Sequence, residues 1–120
     1  MSLTLADIQA AAARIAPYIH CTPVLTSATL DELCGGHLFF KCENFQKIGA
    51  FKARGAANAV FSLTAAEAAR GVVTHSSGNH AAALARAARL RGIAAHIVMP
   101  SDAPQSKIAS VRRNGGIITF

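Results

Sequence analysis

Three short apolar runs, Val72-Val73-Thr74, Ala94 to Met99 and Ile117-Ile118-Thr119-Phe120, are separated by stretches with helical periodicity. Between the first two, Ala83, Leu84, Ala87 and Leu90 fall on one face and Arg86 and Arg89 on the other, which predicts a helix over Asn79–Arg91, stopped by Gly92. Between the second and third, Pro104 precedes a helix over Gln105–Asn114 with Ile108 and Val111 inward, and Gly115-Gly116 ends it. Strand, helix, strand, helix, strand at this spacing is the rhythm of an α/β fold with a doubly wound parallel sheet. Such sheets bind ligands beyond the carboxyl ends of their strands. The turn His75-Ser76-Ser77-Gly78-Asn79-His80 lies at such an end, with hydroxyls, an amide and backbone N–H groups at a helix N-terminus, where anions bind.

The preceding residues are read in the same way. Thr4-Leu5-Ala6-Asp7 and Thr64-Ala65-Ala66-Glu67 both have the form of capping boxes. The first opens a helix with Ile8, Ala11, Ala12 and Ile15 on one face, ended by Pro17; the second opens a short helix closed by Gly71. Thr22 to Leu25 is extended, because the residue before Pro23 avoids the helical region. Ser27 to Leu33 forms a short helix closed by Gly35-Gly36. His37 to Glu43 is expected to be a strand buried on both faces through Leu38, Phe39 and Phe40, with Cys42 a buried strand residue. The loop Asn44–Gly49 leads into a helix over Ala50–Leu63, packed through Ala53, Ala56, Ala57, Val60 and Phe61. Lys52 stands at that loop-to-helix junction, where a lysine kept unprotonated by desolvation can attack an aldehyde.

Composition narrows the function classes. The 12 basic and 6 acidic residues leave a net charge of +6, but no basic tract occurs and the few aromatics are not interleaved with arginine, which argues against nucleic acid. Cys21, Cys34 and Cys42 are odd in number and lack Cys-x-x-Cys spacing, so they read as reduced thiols in a cytoplasm, with no zinc site. His20, His37, His75 and His96 have no metal-ligand spacing and read as structural or surface residues. There is no apolar run long enough for a membrane span and no secretion-signal layout. The chain stops inside a strand pattern, as the N-terminal part of a longer protein would.

The runs Lys41-Cys-Glu-Asn-Phe-Gln-Lys47, Gly49-Ala-Phe-Lys52, Arg54-Gly55-Ala56 and Thr74-His-Ser-Ser-Gly-Asn-His80 resemble the fold type II pyridoxal-5′-phosphate (PLP) enzymes, in particular their threonine dehydratase and serine racemase branch. The resemblance extends from Ile8 to Phe120. It implies that Lys52 forms a Schiff base with PLP and relays protons on one face, that Phe51 packs beside the cofactor ring, and that Asn79 hydrogen-bonds its 3′-oxygen. Ser76, Ser77, Asn79 and His80 would hold the substrate carboxylate, and Ser77 would serve as acid/base on the other face. Residues 1–47 would open a larger cofactor domain and residues 48–120 form most of a smaller one, in a homodimer when complete. The implied reaction is deamination of L-threonine or L-serine to a 2-oxo acid and ammonia; alternatives are serine racemisation or a catalytically incomplete fragment. The cysteine-synthase branch fits less well, since its lysine is followed by Asp-Arg and here Ala53-Arg54 follows. Ala81-Ala82 also departs from the Gly-Gln that often follows the histidine.

Each position also has a plainer reading. Ser77 could cap the helix, Asn79 could be a turn residue, and His80 could be packed and hydrogen-bonded. Arg86, Arg89 and Arg91 read as a solvated helix face, Lys41 and Lys47 as solvated charges, and Glu43 and Asn44 as either braces for the Lys52 loop or a strand end.

Overall fold

Helices α1 (Leu5–Ile15), α2 (Ala28–Cys34) and α4 (Ala65–Ala68) begin at hydroxyl side chains that accept from their first turns: Thr4 from the Asp7 N–H, Ser27 from the Leu30 N–H and Thr64 from the Glu67 N–H. Both expected capping boxes form. Helices α3 (Lys52–Ser62), α5 (Asn79–Arg91) and α6 (Gln105–Arg113) start instead at Phe51, Gly78 and Pro104, with no side-chain cap. These descriptions come from a computed structural model that describes residues 2–120.

Strands β3 (Val72–His75), β4 (Ala95–Val98) and β5 (Ile117–Thr119) form a parallel sheet in that order. Alternate side chains point to opposite faces. Thr74, Ile97 and Ile118 share one row, facing α5 and α6; Val73, His96 and Ile117 share a row on the other face, which is open among the described residues. The expected α/β parallel sheet is present, wound by helices on one face within residues 2–120. A separate antiparallel ribbon pairs β1 (Val24–Leu25) with β2 (Phe40–Lys41).

The core is a seam of small residues. Ala56 and Val60 of α3 meet a nearly continuous alanine surface on α5, and Ile97, Ile108 and Val111 fill the space beneath. Alanine on both partners lets helix axes approach closely. β3 starts equally close to its neighbour: a Cβ on Gly71, at φ +74°, would lie 2.8 Å from the Ala94 carbonyl oxygen.

Several expectations are corrected. β2 is two residues long, and Phe39 and Phe40 are exposed, because the β1–β2 ribbon has no covering layer among the described residues. Cys42 is only partly buried and sits in the bend after β2. Val73 is exposed on the open sheet face. On α5 the buried surface is wider than the expected stripe, running through Ala81–Ala85, Ala87 and Ala88, while Leu90 is exposed; the helix lies between α3 and the sheet. Arg86 is half-buried, and desolvation followed by the Arg89 charge holds its guanidinium below the ordinary value. Arg91 is not a free surface charge: it donates to the Val60 carbonyl, to Leu63 O at 2.6 Å and to Thr64 O, closing the C-terminal end of α3. Among the described residues no helix is long and apolar enough to cross a membrane, and no cluster of metal-ligating side chains occurs.

Candidate active site

A cavity of about 700 Å³ opens at the carboxyl ends of β3 and β4. Lys52 stands at one wall; Ser76, Ser77 and His80 come from the turn after β3 and the start of α5. Val98, Met99 and Pro100 form the apolar side, and His75 completes the lining. The structure therefore brings Lys52 together with Ser76, Ser77 and His80, which lie 24 to 28 positions further along the chain. His75, read as structural or surface, is exposed and also lines the cavity. It lies at the end of a strand whose parallel pairing with β4 places it beside Val98.

The turn is shaped by its own polar groups. Ser76 N–H donates to Val98 O at 3.0 Å, extending the β3–β4 ladder by one bond. Ser76 Oγ then accepts from Gly78 N–H at 3.2 Å. Ser77 does not cap α5, since Gly78 is the N-cap and no side-chain cap bond exists. Its hydroxyl is left exposed to the cavity beside the uncapped N–H groups of α5, where helix polarity favours negative charge.

Phe51 and Asn79 lie outside the cavity lining. Phe51 is exposed, with the Lys52 ammonium 5.1 Å from its ring centroid, a cation–π distance. Asn79, at the first position of α5, has its Oδ1 3.4 Å from Lys107 Nζ. The expected desolvation of Lys52 is not met: its side chain is exposed in the first turn of α3, facing the open cavity.

The loop before Lys52 is held by residues far away in the chain. Gln46 is buried, and its amide acts as a piece of strand: Oε1 accepts from His20 N–H at 2.8 Å and Lys47 N–H at 2.9 Å, while Nε2 donates to His20 O at 2.8 Å. Ile48 follows at φ 59°, a left-handed conformation that β-branched residues rarely adopt, and Gly49 continues it at φ 71°. These two residues turn the chain into α3. Glu43 braces the junction rather than merely ending a strand. Its carboxylate accepts from Arg54 Nε and a terminal guanidinium nitrogen at 2.8 and 2.7 Å, and from Thr22 Oγ1 at 2.5 Å. The Arg54 hydrogen bonds hold the Glu43 carboxyl down to about 2, against a smaller upward push from burial. Lys41 is not a free charge either, donating to Thr22 O at 2.5 Å. The bracing roles of Gln46 and Thr22 are not legible in local sequence, because His20 and Glu43 lie more than twenty residues from them.

A lysine amine and a hydroxyl-rich helix N-terminus on one cavity are the donor set that an aldehyde-bearing, phosphorylated or carboxylated ligand requires. Residues 15–120 match the family described as "Pyridoxal-phosphate dependent enzyme". The chain belongs to this family.

Its cofactor is pyridoxal 5′-phosphate, and the fold type II expectation holds. Serine racemase of Oryza sativa subsp. indica is 62% identical over 114 residues, which cover 95% of this chain and 34% of that protein. The beta-hydroxyaspartate dehydratase of Paracoccus denitrificans is 61% identical over 116 residues, covering 97% of this chain and 37% of that one. The solved structure of maize serine racemase superposes with a TM-score of 0.94 at 56% identity, covering 99% of this chain and 36% of the other. The chain thus spans about a third of the length of these relatives. The donor set fits a PLP enzyme: Lys52 presents a primary amine, the cavity has the size of a small-molecule cleft, and its rim offers donors for acidic groups.

Proposed function

We propose that this chain carries the lysine-bearing wall of an active site acting on small β-hydroxy amino acids, with L-threonine and L-serine converted to a 2-oxo acid and ammonia. The observation that carries this reading is the shared cavity of the Lys52 amine and the Ser76–Ser77–His80 cluster. Lys52 would hold the cofactor, with Phe51 beside it and Asn79 as donor to its ring oxygen. The hydroxyls of Ser76 and Ser77, with Asn79, His80 and the α5 N-terminus, orient the substrate carboxylate. Pyridoxal phosphate, when bound, supplies the electron sink that makes the Cα proton removable. Lys52 takes that proton, and the β-hydroxyl leaves with a proton as water; hydrolysis then releases ammonia. The dehydratase named among the relatives supports this course.

Serine racemisation is the second reading. It is favoured by the Ser77 hydroxyl, which is exposed to the cavity and free of any capping duty. A proton delivered by Ser77 to the face opposite Lys52 gives the enantiomer. The serine racemases among the relatives support it as well. In either reading residues 1–47 open the larger domain and residues 48–120 form most of the smaller one. The three free cysteines suit a reducing compartment such as the cytoplasm.

The test is product analysis with L-serine on the PLP-loaded protein. Pyruvate with ammonia supports the first reading, and D-serine the second. Ser77→Ala is expected to lower D-serine formation by on the order of 10²-fold while keto-acid formation from L-serine persists, the effect of removing one acid/base group. Ammonia release that survives Lys52→Ala would reject the first reading, and D-serine formation that survives it would reject the second.

A further inference from the structure

Lys107 stands where helix energetics do not favour it. It lies in the first turn of α6, a turn with no acidic residue, and its own N–H donates to Pro104 O at 2.9 Å. A cation there opposes the helix dipole. No carboxylate lies within salt-bridge reach among the described residues; its ammonium instead meets Asn79 Oδ1, 3.4 Å away, at the long end of hydrogen-bond range.

The chemistry of that contact fixes the amide. A lysine ammonium has three donors and no acceptor, so the Asn79 atom facing it must be the oxygen. With Oδ1 engaged, Asn79 presents its NH₂ to any other partner, and that group can only donate. A cofactor oxygen that is an acceptor needs this orientation; the flipped amide would set oxygen against oxygen. We infer that Lys107 is a positioning residue for the cofactor, holding the Asn79 amide with its NH₂ toward the pyridoxal ring oxygen. The inference rests on the reading above that Asn79 contacts that oxygen. Lys107 and Asn79 are 28 positions apart, and the packing of α5 against α6 brings them together.

The test is carried out on the protein loaded with pyridoxal phosphate, reading the visible absorbance of the bound cofactor against pH and the dissociation constant for the cofactor. Lys107 is exposed, so K107M and K107Q are both expected to keep the far-UV circular dichroism of the parent. K107M should shift the pH midpoint of the absorbance change and weaken cofactor binding by about three- to tenfold, the equivalent of one oriented hydrogen bond. K107R should restore both. N79A should produce a shift at least as large, and K107M added to N79A should change nothing further, because Lys107 acts through that amide. Three results would overturn the inference. If K107M and K107Q match the parent while N79A does not, Asn79 contacts the cofactor and Lys107 is irrelevant to it. If N79A also matches the parent, the Asn79 reading fails as well. If K107M keeps its full effect in the N79A background, the lysine acts by its own charge.

Discussion

The six α-helices among the described residues divide by how their N-termini are finished. Helices α1, α2 and α4 begin at hydroxyl caps supplied by Thr4, Ser27 and Thr64, and none contributes a residue to the Lys52 cavity. Helices α3, α5 and α6 have no such cap, and their first turns hold Lys52, Asn79 with His80, and Lys107. A cap satisfies backbone donors with the chain's own oxygen and stabilises the helix; an open end keeps those donors available for a ligand. α3 is instead secured from outside, since Arg54 in its first turn is held by Glu43. The difference teaches that this chain places its side-chain caps on helices away from the Lys52 cavity and leaves uncapped the starts of α3 and α5, which face it, a common arrangement where function competes with stability.

The largest effect is expected at the external brace. Glu43→Gln should cost about 1–3 kcal/mol, because it removes a charged acceptor from Arg54 and Thr22. The parent should also show an acid dependence that the variant lacks. The Glu43 carboxyl is held down to about 2 from an ordinary 4.5, so its stabilisation is complete above about pH 4.5 and lost as pH falls toward 2. Urea midpoints measured across that range check this, and parallel curves for parent and variant would break the claim that α3 is secured by this pair. A smaller effect is expected at a scaffold cap. Thr64→Ala should cost about 1 kcal/mol and leave cofactor affinity unchanged; an affinity loss would blur the division between the two helix classes. The smallest change in stability is expected at Gly78→Ser, which would supply α5 with the missing cap. A Cβ there meets nothing within 4 Å, so a gain of a few tenths of a kcal/mol is expected. Ligand affinity should fall in the same variant, as measured by titration with pyridoxal phosphate, because the new hydroxyl competes for the N–H groups; unchanged affinity would mean the open end is not used.

What the sequence made readable follows the same division. The capping boxes at Thr4 and Thr64, the bounds of α5 and the three parallel strands are written in local spacing and were legible. The shared cavity of Lys52, Ser76, Ser77 and His80 was legible only because both motifs sit at strand or helix ends in an α/β order. Exposure was the weak point. Phe39 and Phe40 look like buried strand residues, but local sequence does not reveal whether a second layer covers them. Arg91, Gln46 and Lys107 were misread or missed for another reason: each acts on a partner 26 to 31 residues away, fixed only once the helices pack.

The central claim is that the amine of residue 52 binds the cofactor in a formed cavity. The direct measurement is to incubate the protein with pyridoxal phosphate, reduce with borohydride and map the adduct by peptide mass spectrometry. The account predicts one modified residue, Lys52, and no adduct there after Lys52→Ala. Labelling spread over Lys41, Lys47, Lys52 and Lys107 without preference would contradict it.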